Sequence, residues 1–420
     1  MRNTDYFKGK KAVIIGLARS GLACANLLHG LGARVFISDN RDNEFTRLNA
    51  EKLDSSEIKC ELGRHSSEYV DGSDFMVISP GVDDSAQPVV WAKQKGIPVL
   101  SEIEIAWLLC PATVIAVTGS NGKTTVTTLI GKVIEASGRK AFICGNIGNP
   151  FSNVVPETGE DDFVSLEVSS FQLEHIRSFK PKISVILNFS RNHLDRYKNM
   201  EEYLEAKKRI FLNQDSSDFL ISNAQDPVLK EAVSSCRAKK VFFSGENGIS
   251  PNQSAVLAVA SILNIEKDTC LKVFSEFKGL EHRLEYVAEI GGVKFINDSK
   301  ATTVESCVMA LDSLQGKVVL IAGGRHKGVD YGLAVGAAKK KVKNLILIGE
   351  AEEKIRKVFE GILPIDRADT LAEAVKIAYS KAGRGDFVLL SPMCSSFDMF
   401  SDFEERGRVF KAAVRGLLRG

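Results

Sequence analysis

The sequence predicts an α/β protein of three domains, and three observations carry that prediction. Short apolar, β-branched runs recur along the 420 residues, each followed by a turn and a helical stretch. Two of those turns are glycine loops of the kind that sit between a strand and a helix. The length itself suits two to four domains at roughly 150 residues each.

The elements follow in order. Lys11–Ile15 (KAVII) reads as a buried strand, Gly16 as the turn, and the stretch to about His29 as a helix. Arg34–Ser38 and Phe75–Ile78 continue the same sheet, the latter ended by Ser79-Pro80-Gly81. A second series opens at Thr113–Val117 (TVIAV), with Phe163–Leu166 and Ile183–Leu187 as further strands. A third starts near Val293–Ile296 and includes Val318–Ala322, Leu345–Ile348 and Phe387–Leu390. The alternation predicts parallel sheets covered by helices on both faces. The expected domains are 1–100, 101–280 and 281–420.

Composition excludes several classes. Apolar residues make up 44% and charged residues 26%, which supports packed cores and argues against disorder. The net charge of +2 provides no electrostatic footprint for nucleic acid. No stretch approaches the ~20 apolar residues of a membrane span. Met1–Lys11 is polar with no apolar signal core, so the expected location is the cytoplasm. The eight cysteines are scattered without a C-x-x-C pair, which fits reduced thiols rather than disulfides or structural zinc.

The first glycine loop is GLARSG, Gly16–Gly21. Its strand-to-helix context suits phosphate at a helix N-terminus. Ala18 stands where a dinucleotide fingerprint needs its second glycine, which disfavours a nicotinamide cofactor. A nucleotide-like ligand and a plain βα turn both remain open on this loop alone.

The second loop is the strongest signal. Thr118-Gly119-Ser120-Asn121-Gly122-Lys123-Thr124-Thr125 follows a strand and opens a helix. Its glycines let backbone N–H groups face phosphate oxygens, Lys123 can reach the terminal phosphates, and the Thr124 hydroxyl can bind Mg²⁺. Gly119 precedes Gly122 by only three positions, so the spacing departs from the common G-x-x-x-x-G-K-[ST]. Glu167, at the end of the strand FVSL, is placed for Mg²⁺. His193, in the loop NFSRNHLDRY, and Lys207, in the helical YLEAKKRIF, are ordinary polar residues when taken singly.

Taken together, TGSNGKTT, EVSSFQLE, NHLDRY with EAKKRIF, EHRLE, NDSKATT, GGRHKG and LSPMCSSFDMFSDFEERGRVF resemble, in that order, the motifs of the Mur ligases. These are the ATP-dependent amino-acid-adding enzymes of peptidoglycan synthesis. The last motif and GNIGNP (145–150) are similar to the D-glutamate-adding branch. The resemblance implies a Rossmann-like N-terminal domain for UDP, a central P-loop-type ATPase sheet, and a Rossmann-like C-terminal domain that brings the amino acid. It also implies three small-molecule substrates, UDP-N-acetylmuramoyl-L-alanine, D-glutamate and ATP. With the charge balance and the lack of an apolar span, the expectation is a monomer without nucleic-acid or membrane partners.

Residue by residue, the resemblance assigns Gly119 to Thr125 to ATP, with Lys123 stabilising the transferred phosphoryl group. Thr124 and Glu167 correspond to ligands of one Mg²⁺, and His193 and Lys207 to those of a second, the lysine being carbamylated. Arg19, Ser20, Asp39, Asn40, Arg41 and Gly81 fall at UDP-contacting positions, and Asn146 and Gln172 at contacts to the muramoyl-alanine part. Arg283, Asp298 and Lys300 match residues that close over ATP. Thr302, Lys327, Ser396 and Phe403 match the D-glutamate site. Two departures stand out. Asn192 replaces the family's aspartate before the loop histidine, and ISPNQSAVLAV (249–259) replaces an H-N-x-x-N pattern at the adenine. Rival readings are an L-alanine-adding or folylpolyglutamate-type ligase, an NAD-dependent oxidoreductase built on GLARSG, and a nucleotide-binding protein without turnover.

Overall fold

The computed structural model describes the chain apart from residues 147, 191–195, 246–247, 327 and 419–420. His193 and Lys327 therefore lie outside the described residues, as does Asn192. Contacts divide the chain into two compact units, Met1–Phe277 and Lys278–Gly420.

The first unit holds two sheets. In the N-terminal one, β1 (Lys11–Ile15), β2 (Arg34–Asp39), β3 (Lys59–Leu62), β4 (Phe75–Ile78) and β5 (Val99–Ser101) lie in the order β3-β2-β1-β4-β5, all parallel. The order reverses between β1 and β4, which opens a crevice at the carboxyl ends of those strands. The central sheet contains β6 (Thr113–Thr118), β7 (Ala141–Gly145), β8 (Phe163–Glu167), β9 (Ile183–Ile186), β10 (Phe219–Asn223) and β11 (Lys239–Phe243). They are ordered β11-β10-β9-β6-β8-β7 and again all parallel. Its central strand β6 is apolar on both faces because helices cover both: Ile115 and Val117 pack toward one core, Val114 and Ala116 toward the other.

The second unit is one sheet of β12 (Glu285–Ile290), β13 (Val293–Asn297), β14 (Val318–Gly323), β15 (Val342–Ile348), β16 (Ile365–Arg367) and β17 (Phe387–Leu390). Their order is β12-β13-β17-β14-β15-β16. Here the expectation of a wholly parallel sheet needs a correction: β12 runs antiparallel to β13. The two strands are joined by Gly291-Gly292, both at positive φ, and so short a connection can only reverse the chain.

Two buried carboxylates tie the segment after β5 to the central sheet. Glu104 accepts the consecutive backbone N–H groups of Arg177, Ser178 and Phe179 at 3.0, 2.7 and 2.9 Å. Glu102 accepts the N–H of Ser152 at 2.6 Å. Each carboxylate thus satisfies amides that burial would otherwise leave unpaired.

Candidate active site

The site begins where β6 ends. Its loop Gly119–Gly122 turns into the helix Lys123–Ala136, and Gly122 at φ +81° is the left-handed residue before the helix. A Cβ at Gly122 would stand 2.6 Å from Oδ1 of Asn252, so only glycine fits. Asn188, at the end of β9, pins the loop from the other side. Its Oδ1 accepts the Asn121 N–H at 2.8 Å and its Nδ2 donates to the Asn121 carbonyl at 3.1 Å. Ser120 accepts the Ser190 N–H at 2.9 Å. Lys123 donates to the carbonyls of Gly119 and Ser120 at 2.9 and 3.1 Å.

The register of the sheet places Glu167 beside this loop. Val117 on β6 pairs with Glu167 on β8, one residue before Thr118. Glu167 is only 2% exposed. Its Oε1 accepts from Asn146 Nδ2 at 3.0 Å, while Oε2 is buried and finds no hydrogen-bond partner among the described residues. A buried carboxylate oxygen without a donor is costly unless a cation completes it. The orphaned carboxylate oxygen, at the carboxyl end of the sheet beside the loop that leads into Thr124, suits a hard cation such as Mg²⁺.

Lys207 lies near the end of the helix Met200–Lys208 and is 2% exposed. It donates to the Gly119 carbonyl at 3.0 Å and lies 4.6 Å from the centre of the Tyr203 ring. Burial first, and the Lys123 charge second, push its pKa well below the usual lysine value. Lys208, about 100° further round the helix, reaches outward to Glu205 at 2.6 Å. Adjacent lysines therefore have opposite environments.

In the N-terminal sheet the loop Gly16–Gly21 is equally tight. A Cβ on Gly21 would stand 2.0 Å from the Gly16 carbonyl oxygen, a close approach only glycine permits. Asp39 ends β2, accepts the Leu17 N–H at 2.8 Å, and takes two bonds from the Arg41 guanidinium. Burial raises its pKa, but the bonds from Arg41 and Leu17 outweigh that and leave it below the ordinary value. Arg19 lines a cavity of about 330 Å³ together with Asn149 and Pro150, so the first glycine loop and the GNIGNP segment share a wall. Ser20 is half-buried, and Asn40 and Gly81 are exposed on the loops after β2 and β4. The Gln172 side-chain oxygen is committed to the capping box with Ser169.

The second unit gathers its own cluster. Asp298 accepts from the Leu284 N–H at 3.1 Å and Ser391 Oγ at 2.9 Å. Burial raises its pKa to about 6. Lys300 lies 5.6 Å from the Phe403 ring centre. Thr302 follows in the same turn and Ser396 is buried. Arg283 precedes β12.

Arg406 holds these turns together, and no motif reasoning singled it out. It is 1% exposed, and donates to Ser299 Oγ, the Ser299 carbonyl and the Cys394 carbonyl. Asn188 was likewise missed, although it stands inside the quoted loop motif; a polar residue directly after a buried strand and facing the phosphate loop was the available signal.

Family models match the chain along its length: a MurD-like N-terminal domain over residues 10–101, the Mur ligase middle domain over 117–291, and the Mur ligase glutamate ligase domain over 282–394. A UDP-N-acetylmuramoylalanine–D-glutamate ligase of Chloroherpeton thalassium is 42% identical, covering 98% of this chain and 99% of its own. One of that name from a Thermoanaerobacter species is 41% identical with the same coverage. Among solved structures, the UDP-N-acetylmuramate-alanine ligase of Thermotoga maritima aligns at TM-score 0.63 and 18% identity, over 97% of this chain and all of that one. The MurF ligase of Thermotoga maritima, solved with ADP, aligns at TM-score 0.59 and 17% identity, over 99% and 98%. At such identities the structures speak for the fold alone.

Proposed function

The chain belongs to the Mur ligase family, and from that premise we propose that it joins D-glutamate to UDP-N-acetylmuramoyl-L-alanine with ATP, as a cytoplasmic step of peptidoglycan precursor synthesis. The observation that carries this reading is the convergence on one loop of Lys123, the half-satisfied Glu167 and the buried Lys207. Relatives of 38–42% identity over nearly the whole chain bear the name of that activity. We take 1–100, 101–280 and 281–420 as the domains for UDP, ATP and D-glutamate.

In this reading the muramoyl-alanine carboxylate attacks the γ-phosphorus of ATP. A carboxyl-oxygen–phosphorus bond forms, the bond to the β,γ-bridging oxygen breaks, and ADP leaves. The amine of D-glutamate then attacks the acyl carbon, loses a proton, and expels phosphate from the tetrahedral intermediate. Backbone N–H groups of Gly119–Thr125 and the Lys123 ammonium hold the phosphates and bear the charge that develops on them. Asn188 keeps the loop in shape before any ligand arrives, so no binding energy is spent on ordering it. Asn146 orients Glu167.

Thr124 and Glu167 would hold one Mg²⁺, and His193 with a carbamylated Lys207 a second. Such ions neutralise the repulsion between an anionic carboxylate and an anionic triphosphate. The chemistry of Lys207 favours the carbamate. Carbon dioxide adds only to a neutral amine, and burial beside Lys123 favours the neutral form. Asp39, Arg41, Arg19, Ser20, Asn40 and Gly81 serve the uridine diphosphate, and Asn146 and Gln172 the muramoyl-alanine. Arg283, Asp298 and Lys300 serve ATP, and Thr302, Lys327, Ser396 and Phe403 D-glutamate. The enzyme is taken to act as a monomer.

The test is phosphate release from ATP with UDP-N-acetylmuramoyl-L-alanine and each candidate amino acid in turn. Release with D-glutamate alone is the expected result. Release with L-alanine or L-glutamate at equal rates overturns the substrate assignment.

A further inference from the structure

The carboxyl end of the N-terminal sheet carries a polar network whose hydrogen-bond directions can be worked out, and none of its members has been given a role. Ser38 on β2 and Glu61 on β3 are register partners. Ser38 Oγ lies 2.7 Å from Glu61 Oε1 and 2.7 Å from His65 Nδ1. Glu61 also accepts the Ser66 N–H at 2.8 Å and the Ser66 hydroxyl at 2.6 Å. The loop holding His65 leans on the turn that bears Asp39, Asn40 and Arg41, for a Cβ on Gly63 would stand 3.2 Å from Cβ of Asp42.

The directions follow from valence. Glu61 is buried, and its carboxylate receives three donors. Although burial opposes ionisation, the bonds from Ser66 and Ser38 outweigh it and bring its pKa below the ordinary value, so it is an acceptor only. Ser38 has one hydroxyl proton, and of its two acceptors the charged Glu61 oxygen at 2.7 Å takes it in preference to the Arg64 carbonyl at 3.3 Å. It must therefore accept from His65, which places the ring proton on Nδ1. Burial lowers the pKa of His65 and favours the neutral ring. A neutral histidine protonated at Nδ1 has an unprotonated Nε2, which accepts a hydrogen bond and cannot donate one.

We infer that His65 is a specificity residue of the nucleotide site, its Nε2 accepting a hydrogen bond from an N–H or O–H donor of the uridine moiety. This rests on the reading that the Asp39–Arg41 turn binds a uridine nucleotide. The chemistry discriminates between bases. Uracil presents a donor at N3, whereas cytosine presents an acceptor there, and two facing acceptors repel. A site built around a fixed acceptor rejects the wrong partner because a buried lone pair would be left facing another. A ribose hydroxyl is the other donor of the same chemistry.

The experiment measures binding of UDP, CDP and 2′-deoxy-UDP to the full chain and to His65→Ala and His65→Gln, with ADP titration as the control for folding. The unmodified protein is expected to prefer UDP over CDP by about tenfold or more. His65→Ala is expected to lose that preference through weaker UDP binding. His65→Gln, whose amide can turn either edge to the ligand, is expected to bind UDP within about threefold of the parent and to gain affinity for CDP. If the parent instead discriminates against 2′-deoxy-UDP and His65→Ala does not, the donor is the ribose hydroxyl and the acceptor role stands. If His65→Ala keeps the UDP affinity and both preferences, the inference is wrong. If the unmodified protein binds ADP but no UDP, the uridine reading of the turn fails, and this is separable because no His65 variant is involved.

Discussion

Lys207 and Lys123 donate to the same atom, the carbonyl oxygen of Gly119, at 3.0 and 2.9 Å. Two ammonium groups that converge on one buried oxygen repel each other, and the deeper of the two is the one whose charged form suffers most. Lys207 is that group, and the neutral amine this favours is the form that the proposed carbamylation requires. Lys207→Ala is expected to be nearly inactive and to recover part of its activity with acetate, while Lys208→Ala, whose parent side chain faces Glu205, keeps most of its turnover. ¹³C-bicarbonate should also give a carbamate NMR signal that disappears in Lys207→Ala. An active Lys207→Ala, or a parent spectrum without that signal, rules the carbamate out.

Lys123→Ala is expected to abolish ligation with little effect on folding. On the proposed function its ammonium binds charge in the transition state, and loss of one such group costs about 10²–10³ in rate. The loop shape survives because Asn188 and Ser120 hold it independently of the lysine. Single-turnover phosphate release separates this from a folding defect, since UDP binding should be unchanged.

Glu167 is half-satisfied, and that asymmetry is measurable. Glu167→Gln keeps an oxygen for Asn146 but removes the charge from the orphaned Oε2. The Mg²⁺ concentration for half-maximal rate should rise by about tenfold or more, since charge-assisted contacts are worth roughly 1.5–3 kcal/mol. An unchanged Mg²⁺ dependence removes Glu167 from the metal site.

What the sequence made legible divides along physical lines. β1, β4 and β17 were bounded as observed, because buried parallel strands are continuous apolar runs with sharp polar ends. β11 (KKVFF) and β12 (EYVAEI) escaped because they are sheet edges, with charges that interrupt the pattern. The phosphate loop was readable since its glycines and lysine are local in sequence. The partners that fix it are not: Asn188 reaches Asn121 across 67 residues. Glu102 and Glu104 look like the solvated side of a helix, and only the fold reveals that both are buried acceptors of backbone N–H groups. Arg406 stands inside a quoted motif, yet its role was hidden for the same reason, since the Ser299 hydroxyl and carbonyl that it holds lie 107 residues away.

Arg406 carries the next prediction. Burial lowers its pKa to about 10, and no carboxylate lies within ion-pair distance of it among the described residues. Its planar fork spans Ser299 and Cys394 at once, which a lysine ammonium cannot do. Arg406→Lys is expected to destabilise the Lys278–Gly420 unit by about 2–4 kcal/mol. Because the turns it fixes carry Thr302 and Ser396, the KM for D-glutamate should rise, while UDP binding by the Met1–Phe277 unit stays as it was. A variant with parental melting and D-glutamate KM shows that the fork is dispensable.

Asp298 makes the sign of a pH effect testable. Its pKa is about 6 in the folded chain against an ordinary 3.8, raised by burial and only partly offset by Ser391 and Leu284. Below the ordinary value the carboxyl is protonated in both folded and unfolded chains, and it costs nothing. Between pH 3.8 and about 6 the unfolded chain gives up its proton first, so folding is progressively disfavoured as pH rises. Above about 6 the full penalty is present, on the order of 3 kcal/mol for a group this buried. Asp298→Asn has the same shape, keeps an oxygen for the Leu284 N–H, and carries no charge at any pH. It should therefore match the parent in stability near pH 4 and exceed it near pH 7.5, as read by hydrogen exchange in β13 and β17. Ligation should fall in the same variant, because the charge that destabilises the fold is the one proposed to serve ATP. Equal stabilities at both pH values would show that Asp298 ionises as freely in the folded chain as in the unfolded one.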